Sequence, residues 1–342
     1  MTTTPASRGR ATGRVTLADV AHAAGVSPIT VSRALRGERA VAPDLVARVQ
    51  AAATRLGYVP DPAARALASR SGSHVAVLIP LLSNALFVDL IEAVQRVIRP
   101  AGYQTLIGIT HYSDSEEEQL LREQLPHRPA GLIVTGLGQN ANTRALIAQS
   151  GIPCVHVMET ASDETVHSVG FSQSDAAAAL TRHLLARGRR RIAFAAAQLD
   201  PRTMHRLEGW RAAMTEAGLH DPTLEWLNAA PSSLALGGTM FEQIVSVKPA
   251  IDAVFFNNDD LAQGALLAAL RLRIAVPKRI AVVGFNDLTG SDQMIPPLTT
   301  VRTPRAEIGE GAARMLLSLV HGERPPASCV DVGFELVVRG SS

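Results

Sequence analysis

The chain has 342 residues, of which 46% are hydrophobic and 19% charged, so it is long enough for two or three domains with ordinary buried cores. Its two cysteines, Cys154 and Cys329, make no disulfide framework and favour a reducing compartment. Residues 1–14 lack the apolar core of a secretory signal, and no apolar run reaches the roughly 18 residues that span a bilayer. Composition therefore predicts a soluble, cytoplasmic protein that has no membrane partner.

Charge is distributed unevenly along the chain. Residues 1–72 contain ten Arg, no Lys and four acidic residues, a net charge of +6, whereas the rest has 23 basic and 27 acidic residues, a net charge of −4. A basic segment on a mildly acidic body is typical of a protein that binds a polyanion. Residues 1–14 are predicted to be a disordered basic tail, and charge alone leaves open that the whole segment is merely solvated.

Two short helices are predicted after this tail. Thr16 and Asp19 have the spacing of a capping box, and Gly25 is suited to the left-handed turn that ends a helix. Ser27 can cap a second helix with Pro28 at its first position, where the missing N–H costs nothing. The pattern indicates two helices joined by a tight glycine turn.

A third helix is predicted over residues 43–56, ending at Gly57. Together the three helices predict an all-α helix-turn-helix domain over residues 15–60, with a generic three-helix packing unit as the alternative. Such a domain places the second helix in the major groove of double-stranded DNA, where some side chains read bases and others hold phosphates. The predicted DNA-binding residues of this domain are Thr16, Ser27, Pro28, Ile29, Thr30, Ser32, Arg33 and Arg36.

The segments VTLADVAHAAGVSPITVSRAL and GYVPDPAARALA together resemble the DNA-binding region of the lac repressor (LacI) family of bacterial regulators. The shared pattern T-x-x-D-V-A-x-x-A-G-V-S-x-x-T-V-S-R is long and specific. The resemblance implies that residues 61–73 are a hinge helix and linker, and that Leu67 is a wedge inserted from the minor groove. Ala42 departs from the family pattern, which usually has a capping Ser at this position.

Beyond residue 73 the pattern changes to alternating strands and helices. HVAVLIP, YQTLIGI, AGLIVTG and IPCVHVM are short apolar runs separated by helical stretches, which predicts α/β structure with parallel sheets. The sequence then repeats in kind at offsets of about 116 to 120 residues, at RIAFAAA, AGLHD and PAIDAVFF. The body, residues 74–342, is therefore predicted to contain two similar subdomains that enclose a cleft.

The family resemblance covers the whole chain and implies a periplasmic-binding-protein-like body that binds an effector and forms a homodimer. It implies three crossings between subdomains, near residues 169–172, 300–304 and 324–327. The first subdomain would comprise residues 74–170 and 303–325, and the second residues 171–302 and 326–340.

Two arginines follow the strand RIAFAAA and are predicted to lie at the cleft. Arg202 and Arg206 can each hold a carboxylate or a pair of hydroxyls, although a solvated loop arginine is the alternative for both. The resemblance implies that Arg206, three residues before Gly-Trp, holds the effector. Asn286 matches a position where many family members have Asp, a change that favours a ligand with its own negative charge.

Other strand ends supply polar groups to the same cleft. Capping of the helix after FFNN, by Asn258 or Asp259, is favoured over metal binding or acid–base chemistry. The predicted effector-binding residues are Ser83, Asn84, Phe87, Glu159, Arg202, Arg206, Asn258 and Asn286.

No motif for catalysis is found: the sequence has no P-loop, dinucleotide fingerprint, nucleophile elbow or metal-ligand spacing. We therefore predict no catalytic residue, no cofactor and no metal, and a chain that is not an enzyme.

The predicted function is a transcriptional repressor that binds a pseudo-palindromic DNA operator as a homodimer. The segments LDPRT, PLLSNALF and GYQTLI resemble the gluconate-operon repressor branch of the family, which implies a sugar acid such as gluconate or ketogluconate as effector. The alternatives are a neutral sugar or nucleoside effector, corepression in place of induction, a sugar-binding protein or enzyme without a DNA function, and a DNA-architectural protein with a vestigial cleft.

Overall fold

The computed structural model describes residues 15–35, 41–59 and 72–342. The chain divides into two compact units, Met1–Arg70 and Ser71–Ser342. The predicted basic tail, Arg36, and residues 61–71 of the predicted hinge, Leu67 included, lie outside the described residues. Within the described residues, no helix has both the length and the apolar character needed to cross a membrane.

The first unit contains helices α1 (Leu17–Ala24), α2 (Pro28–Leu35) and α3 (Pro43–Leu56). The capping box that begins α1 is present, and Gly25 ends the helix in the left-handed conformation. Mostly small side chains allow the short helices to pack closely; the buried apolar residues are Val20, Ala21, Ala24, Val31, Ala34, Val49, Ala52 and Ala53. The predicted three-helix arrangement is confirmed.

The second unit alternates strands and helices, as the sequence predicted. Its α-helices are α4 (Ala85–Ile98), α5 (Asp114–Gln124), α6 (Ala141–Ser150), α7 (Gln173–Ala186), α8 (Pro201–Glu216), α9 (Leu234–Val247), α10 (Asp259–Arg271) and α11 (Arg305–Val320). Its strands are β1 (His74–Ile79), β2 (Gln104–Ile109), β3 (Gly131–Thr135), β4 (Cys154–Met158), β5 (Ser168–Gly170), β6 (Ile192–Ala197), β7 (Glu225–Asn228), β8 (Ala253–Phe256), β9 (Ala281–Val283), β10 (Thr300–Arg302), β11 (Cys329–Asp331) and β12 (Glu335–Val337).

Two parallel sheets organise this unit into two subdomains. The first sheet has six strands in the order β11-β5-β4-β3-β1-β2, and the second has four in the order β7-β6-β8-β9. The central strands of both sheets are buried, which explains why their sequences are continuous apolar runs. The order β2-β1-β3-β4 in the first sheet matches β7-β6-β8-β9 in the second, so the predicted duplication is confirmed.

The chain passes between the subdomains at three places, two of which agree with the sequence prediction. It leaves the first sheet after β5, and β10 leads it back to α11. The crossing predicted near residues 324–327 is wrong, because β11 still pairs in parallel with β5 of the first sheet. The chain crosses only after Asp331, since β12 pairs with β10. The resemblance implied only an approximate place for this crossing, and a three-residue strand such as β11 is too short to show a period in the sequence.

Candidate functional site

Helix α2 presents its proposed DNA-facing side chains at the surface of the first unit. Pro28 and Arg33 are exposed, and Ile29 is 66% exposed, although it is a large apolar residue. Val31 and Ala34 on the same helix are buried in the core. Thr30 and Ser32 on the same helix are half-buried.

Two of the predicted DNA-binding residues form helix caps. The Thr16 hydroxyl and backbone N–H both donate to Asp19 Oδ2 at 2.7 Å, and the Asp19 N–H donates to Thr16 Oγ1 at 3.3 Å. The Thr30 N–H donates to Ser27 Oγ at 3.2 Å. These hydroxyls therefore fix the helix starts, which positions α2 whether or not they also touch phosphate.

A cavity of about 260 Å³ lies in the second unit at the carboxyl ends of the strands, between the subdomains. We call it the effector cavity, because it holds most of the residues that the sequence predicts to bind an effector. It brings together all but one of the predicted effector-binding residues, namely Ser83, Asn84, Phe87, Arg202, Arg206, Asn258 and Asn286. Each follows a strand or lies in the first two turns of a helix, because helix N-termini and strand ends converge at this edge.

Glu159 is the exception, because it lines a neighbouring cavity of about 510 Å³. Its Oε1 lies 2.8 Å from His205 Nδ1, and its Oε2 accepts from the Leu137 N–H at 3.1 Å. Burial opposes ionisation of Glu159, but the bond from His205 and the charge of Arg202 outweigh it and lower the pKa of the carboxyl group. The same bond raises the pKa of His205. Glu159 thus joins the subdomains beside the effector cavity.

Arg206 is a buried cation in the wall of the effector cavity, and its side chain is held on three sides. Its Nε donates to Gln173 Oε1 at 2.8 Å, and its Nη1 donates to the Asn257 carbonyl at 2.6 Å. The guanidinium carbon lies 3.9 Å from the centroid of the Phe285 ring. Burial, and secondarily the charge of Arg202, lower the pKa of Arg206 to about 10, so the side chain remains charged at neutral pH.

Arg202 lies beside Arg206 but has a carboxylate neighbour. Its Nε is 3.6 Å from Asp200 Oδ1, and its guanidinium lies over the rings of Phe87 and Tyr112, at 5.5 and 5.9 Å. Burial opposes its ionisation, but the negative charge of Asp200 and other neighbours prevails and raises the pKa of Arg202. The two arginines therefore differ in how far their charge is already balanced.

The helix start at β8–α10 confirms the expected capping. Asn258 Oδ1 accepts from the Leu261 N–H at 3.0 Å, so Asn258 is the cap. Asp259 is fully buried and accepts from the Leu288 N–H and from two hydroxyls, those of Ser291 and Thr300. Burial raises the pKa of Asp259 to about 6, although these bonds oppose the shift. Asp259 is thus a structural group that holds the 288–291 loop.

Sequence analysis missed several polar residues of the effector cavity. They include Tyr112, Gln198, Asp200, Ser232, Ser233 and Asn257. Each follows a strand of one of the two parallel sheets, or caps the helix after it, so strand-end position was the available signal. Among the described residues, no group of three or more His, Cys, Asp or Glu is placed to hold a metal ion.

Comparison with known proteins gives matches over both units. Residues 16–61 match the family of bacterial regulatory proteins, lacI family, and residues 181–342 match the periplasmic binding protein-like domain. The HTH-type transcriptional regulator GntR of Pseudomonas aeruginosa is 54% identical over 97% of this chain and 97% of its own length.

Solved structures give the same result for the fold. Transcription regulator GntR from Chromobacterium violaceum is 48% identical, with a TM-score of 0.77, over 79% of this chain and 99% of that one. A lac repressor dimer bound to operator and the anti-inducer ONPF is 26% identical, with a TM-score of 0.85, over 96% of this chain and 99% of that one. These relatives are regulators rather than enzymes. The chain therefore belongs to the lacI family of bacterial regulatory proteins and is a DNA-binding transcriptional regulator.

Proposed function

We propose that the protein is a transcriptional repressor whose affinity for its operator falls when a sugar acid binds in the effector cavity. The observation that carries this proposal is the state of Arg206. It is only 6% exposed, and the described groups that contact its guanidinium, an amide, a carbonyl and an aromatic ring, are all neutral. The negative charges of Asp200 and Glu159 favour the charged form of Arg206 from a distance, but burial and the charge of Arg202 outweigh them. A buried charge that no opposite charge contacts is costly, and an anionic ligand supplies that contact.

The polarity of the other cavity groups also favours an anion with hydroxyls. Asn286 Oδ1 accepts from the Thr303 hydroxyl at 3.1 Å, which leaves its amide nitrogen to donate to a ligand. An aspartate at this position would repel a carboxylate, whereas the amide donates to it. Ser83 and Ser232 add hydroxyls that can donate or accept. This set suits an aldonate of the gluconate or ketogluconate type better than a neutral sugar or a nucleoside.

Asn286 also connects the effector cavity to the segments that cross between subdomains. Its backbone N–H donates to the Val301 carbonyl at 2.8 Å, and its carbonyl accepts from Arg305 at 3.2 Å. Arg305 in turn pairs with Asp89 on α4 of the first subdomain, at 3.0 Å. A ligand that moves Asn286 therefore acts on the β10 crossing and on α4. Such a ligand changes operator affinity if it binds the two arrangements unequally.

On the DNA side, we propose that α2 reads the major groove as part of a cytoplasmic homodimer on a pseudo-palindromic operator. Arg33 donates to a guanine, Ile29 and Thr30 contact thymine methyl groups beside Pro28, and Ser27 and Ser32 hold phosphates. Thr16 acts through the cap of α1. In the same proposal, Arg36 binds a phosphate and Leu67 is the wedge that inserts into the minor groove.

The test uses full-length protein and an operator selected from random duplex DNA. Calorimetry with D-gluconate and with neutral sorbitol is followed by operator titration at saturating ligand. We expect gluconate alone to bind, and to weaken operator binding by about 5- to 150-fold, the usual range of allosteric coupling. If gluconate instead tightened operator binding, it would act as a corepressor, and the proposed induction would be refuted. Binding of sorbitol or of a nucleoside instead of gluconate would refute the sugar acid.

A variant without residues 1–72 separates the regulator from a plain sugar-binding protein. We expect it to bind gluconate with unchanged affinity and to lose DNA binding. Loss of neither activity would refute the division of functions between the two units.

A further inference from the structure

Two neighbouring residues of α8, His205 and Arg206, are both connected to the carboxyl end of β4 in the opposite subdomain. His205 pairs directly with Glu159 at 2.8 Å. Arg206 is connected through Gln173, whose Oε1 accepts from Arg206 Nε at 2.8 Å and whose Nε2 donates to the Met158 carbonyl at 2.9 Å. One amide therefore spans the distance between the proposed anion-binding arginine and the first subdomain.

The orientation of the Gln173 amide is fixed by its partners. Arginine can only donate and a backbone carbonyl can only accept, so the oxygen must face Arg206 and the nitrogen must face Met158. Gln173 is 4% exposed, so both bonds are shielded from bulk solvent. Glutamate would lack the donor and methionine would lack both groups. Among side chains of this length, only glutamine makes both bonds at neutral pH.

The place of Gln173 in the chain adds to this argument. It is the first residue of α7, directly after the chain leaves β5 and crosses into the second subdomain. Its acceptor, Met158, ends β4 with φ +78, a left-handed conformation that few side chains other than glycine adopt. The Gln173 bond holds the carbonyl of this unusual turn, next to Glu159. The Gln173 amide thus connects Arg206 to the turn that ends β4.

We propose that Gln173 is a positioning residue that aims the Arg206 guanidinium at the effector and couples its occupancy to β4. This inference rests on the proposed function. Of the five N–H groups of Arg206, Gln173 and Asn257 engage one each. The remaining N–H groups are those available to a ligand, and Gln173 sets the rotation that directs them. A carboxylate can then receive two parallel bonds only while the Gln173 bond holds.

The first test measures D-gluconate binding by calorimetry to the full-length Gln173→Met variant. Loss of a buried hydrogen bond to a charged group corresponds to an affinity lower by about 10- to 100-fold. Gln263→Met is the matched control, because Gln263 is also a buried helical glutamine, bonded to Ser291 Oγ at 3.1 Å and outside the effector cavity. We expect the control to bind gluconate within about twofold of wild type. Equal losses in both variants would overturn the assignment.

A double-mutant cycle with Arg206→Lys separates positioning from general packing. Lysine keeps a charge but has no Nε–H for Gln173, so Gln173→Met should change gluconate affinity by less than about twofold in that background. The same tenfold or larger loss in both backgrounds would show that Gln173 acts independently of Arg206, and would contradict the inference.

A ligand-free readout keeps this inference distinct from the proposed function. The Arg206 Nε–H resonance, assigned by its loss in Arg206→Lys, should exchange slowly with solvent in wild type and rapidly in Gln173→Met. Equal protection in both proteins would overturn the positioning role whatever ligand the cavity binds. Failure of wild type to bind gluconate, with the exchange difference present, would refute only the sugar acid.

Discussion

Helices α2 and α8 both carry arginines that we propose to hold an anion, yet they differ in burial. On α2, Arg33 is exposed beside the exposed Ile29, whereas on α8 Arg206 and Arg202 are 6% and 8% exposed. A DNA duplex is too large to enclose, so the helix that reads it must present its side chains at the surface. A small anion can be enclosed, and low-dielectric surroundings strengthen its attraction to a buried cation. On this proposal, the same residue type serves two kinds of recognition, and burial is the main difference between them.

The two regions also differ in what stabilises them. The core of the first unit consists mainly of alanine and valine, so the caps of its short helices carry a larger share of its stability. The second unit buries large aromatic side chains such as Trp210 and Phe194 between its layers. We expect small polar changes to alter the first unit more than the second.

The largest predicted effect comes from removing the buried charge in Arg206→Met. Two charge-assisted bonds to the ligand are lost, so gluconate affinity should fall by about 100-fold or more, while operator affinity without ligand stays within about threefold. Arg211→Met is the matched control on the same helix, since Arg211 pairs with Glu225 away from the cavity. Calorimetry and operator titration check both; equal loss of the two activities would contradict the comparison of α2 with α8.

Arg33→Ala should have the opposite profile. Operator discrimination at one base position should relax by about 1–3 kcal/mol, with gluconate binding unchanged. Arg48→Ala on α3 tests whether any exposed arginine of the first unit has this effect. Binding to operators substituted at each position distinguishes them, and a uniform loss across all sequences would assign Arg33 to phosphate instead.

Helix caps of the first unit provide the next smaller effect. Thr16→Ala removes both hydrogen bonds of the Thr16 hydroxyl, keeps the bond from the residue-16 N–H to Asp19, and should destabilise α1 by about 1 kcal/mol. Ala42, which caps α3 without a side-chain bond, offers the converse: Ala42→Ser should stabilise α3 by about 0.5–1 kcal/mol. Amide hydrogen exchange of the two helices in the full chain measures both. Unchanged exchange in both variants would show that the caps do not control this unit.

The smallest effect is a pH dependence of the Glu159–His205 pair. The raised pKa of His205 stabilises the folded protein fully below the ordinary histidine pKa of 6.5. This contribution to the free energy of unfolding is lost as the pH rises through the raised pKa of His205 in the folded protein. The contribution from Glu159 is present above its ordinary pKa of 4.5 and is lost as pH falls through the lowered value. His205→Gln should therefore lower Tm most between pH 4.5 and pH 6.5, the two ordinary pKa values, and least at alkaline pH.

An independent control is needed for this pH series. The pKa values of the pair also depend on the charges of Asp200, Glu208 and Arg202. In addition, burial raises the pKa of nearby Glu117 to about 7, so Glu117 also titrates near neutral pH. The difference in Tm should persist in a Glu117→Gln background. A difference that disappears there would assign the titration to Glu117.

Much of this architecture followed from sequence because its signals are local. The capping box at Thr16, the left-handed Gly25 and the apolar run of β1 are each set by neighbouring residues, and the structure has all three. The cluster of Arg202, Arg206 and Asn286 was also found, because strand ends of parallel sheets converge.

What sequence could not supply depends on distant partners. Glu159 was placed with the effector residues because it ends β4, but its orientation is set by His205, 46 positions further along the chain. Gln173 had no signal at all, since a helix-starting glutamine is ordinary until Arg206 and Met158 are known to flank it. The assignment of β11 depended on pairing with β5, which three residues cannot reveal.

The central claim is that an anion at Arg206 and DNA at α2 act on one equilibrium. It is tested most directly by measuring gluconate affinity with and without saturating operator DNA, because coupling between two sites is reciprocal. The account predicts that operator-bound protein binds gluconate more weakly, by the same factor by which gluconate weakens operator binding. Equal gluconate affinity for free and operator-bound protein would contradict it.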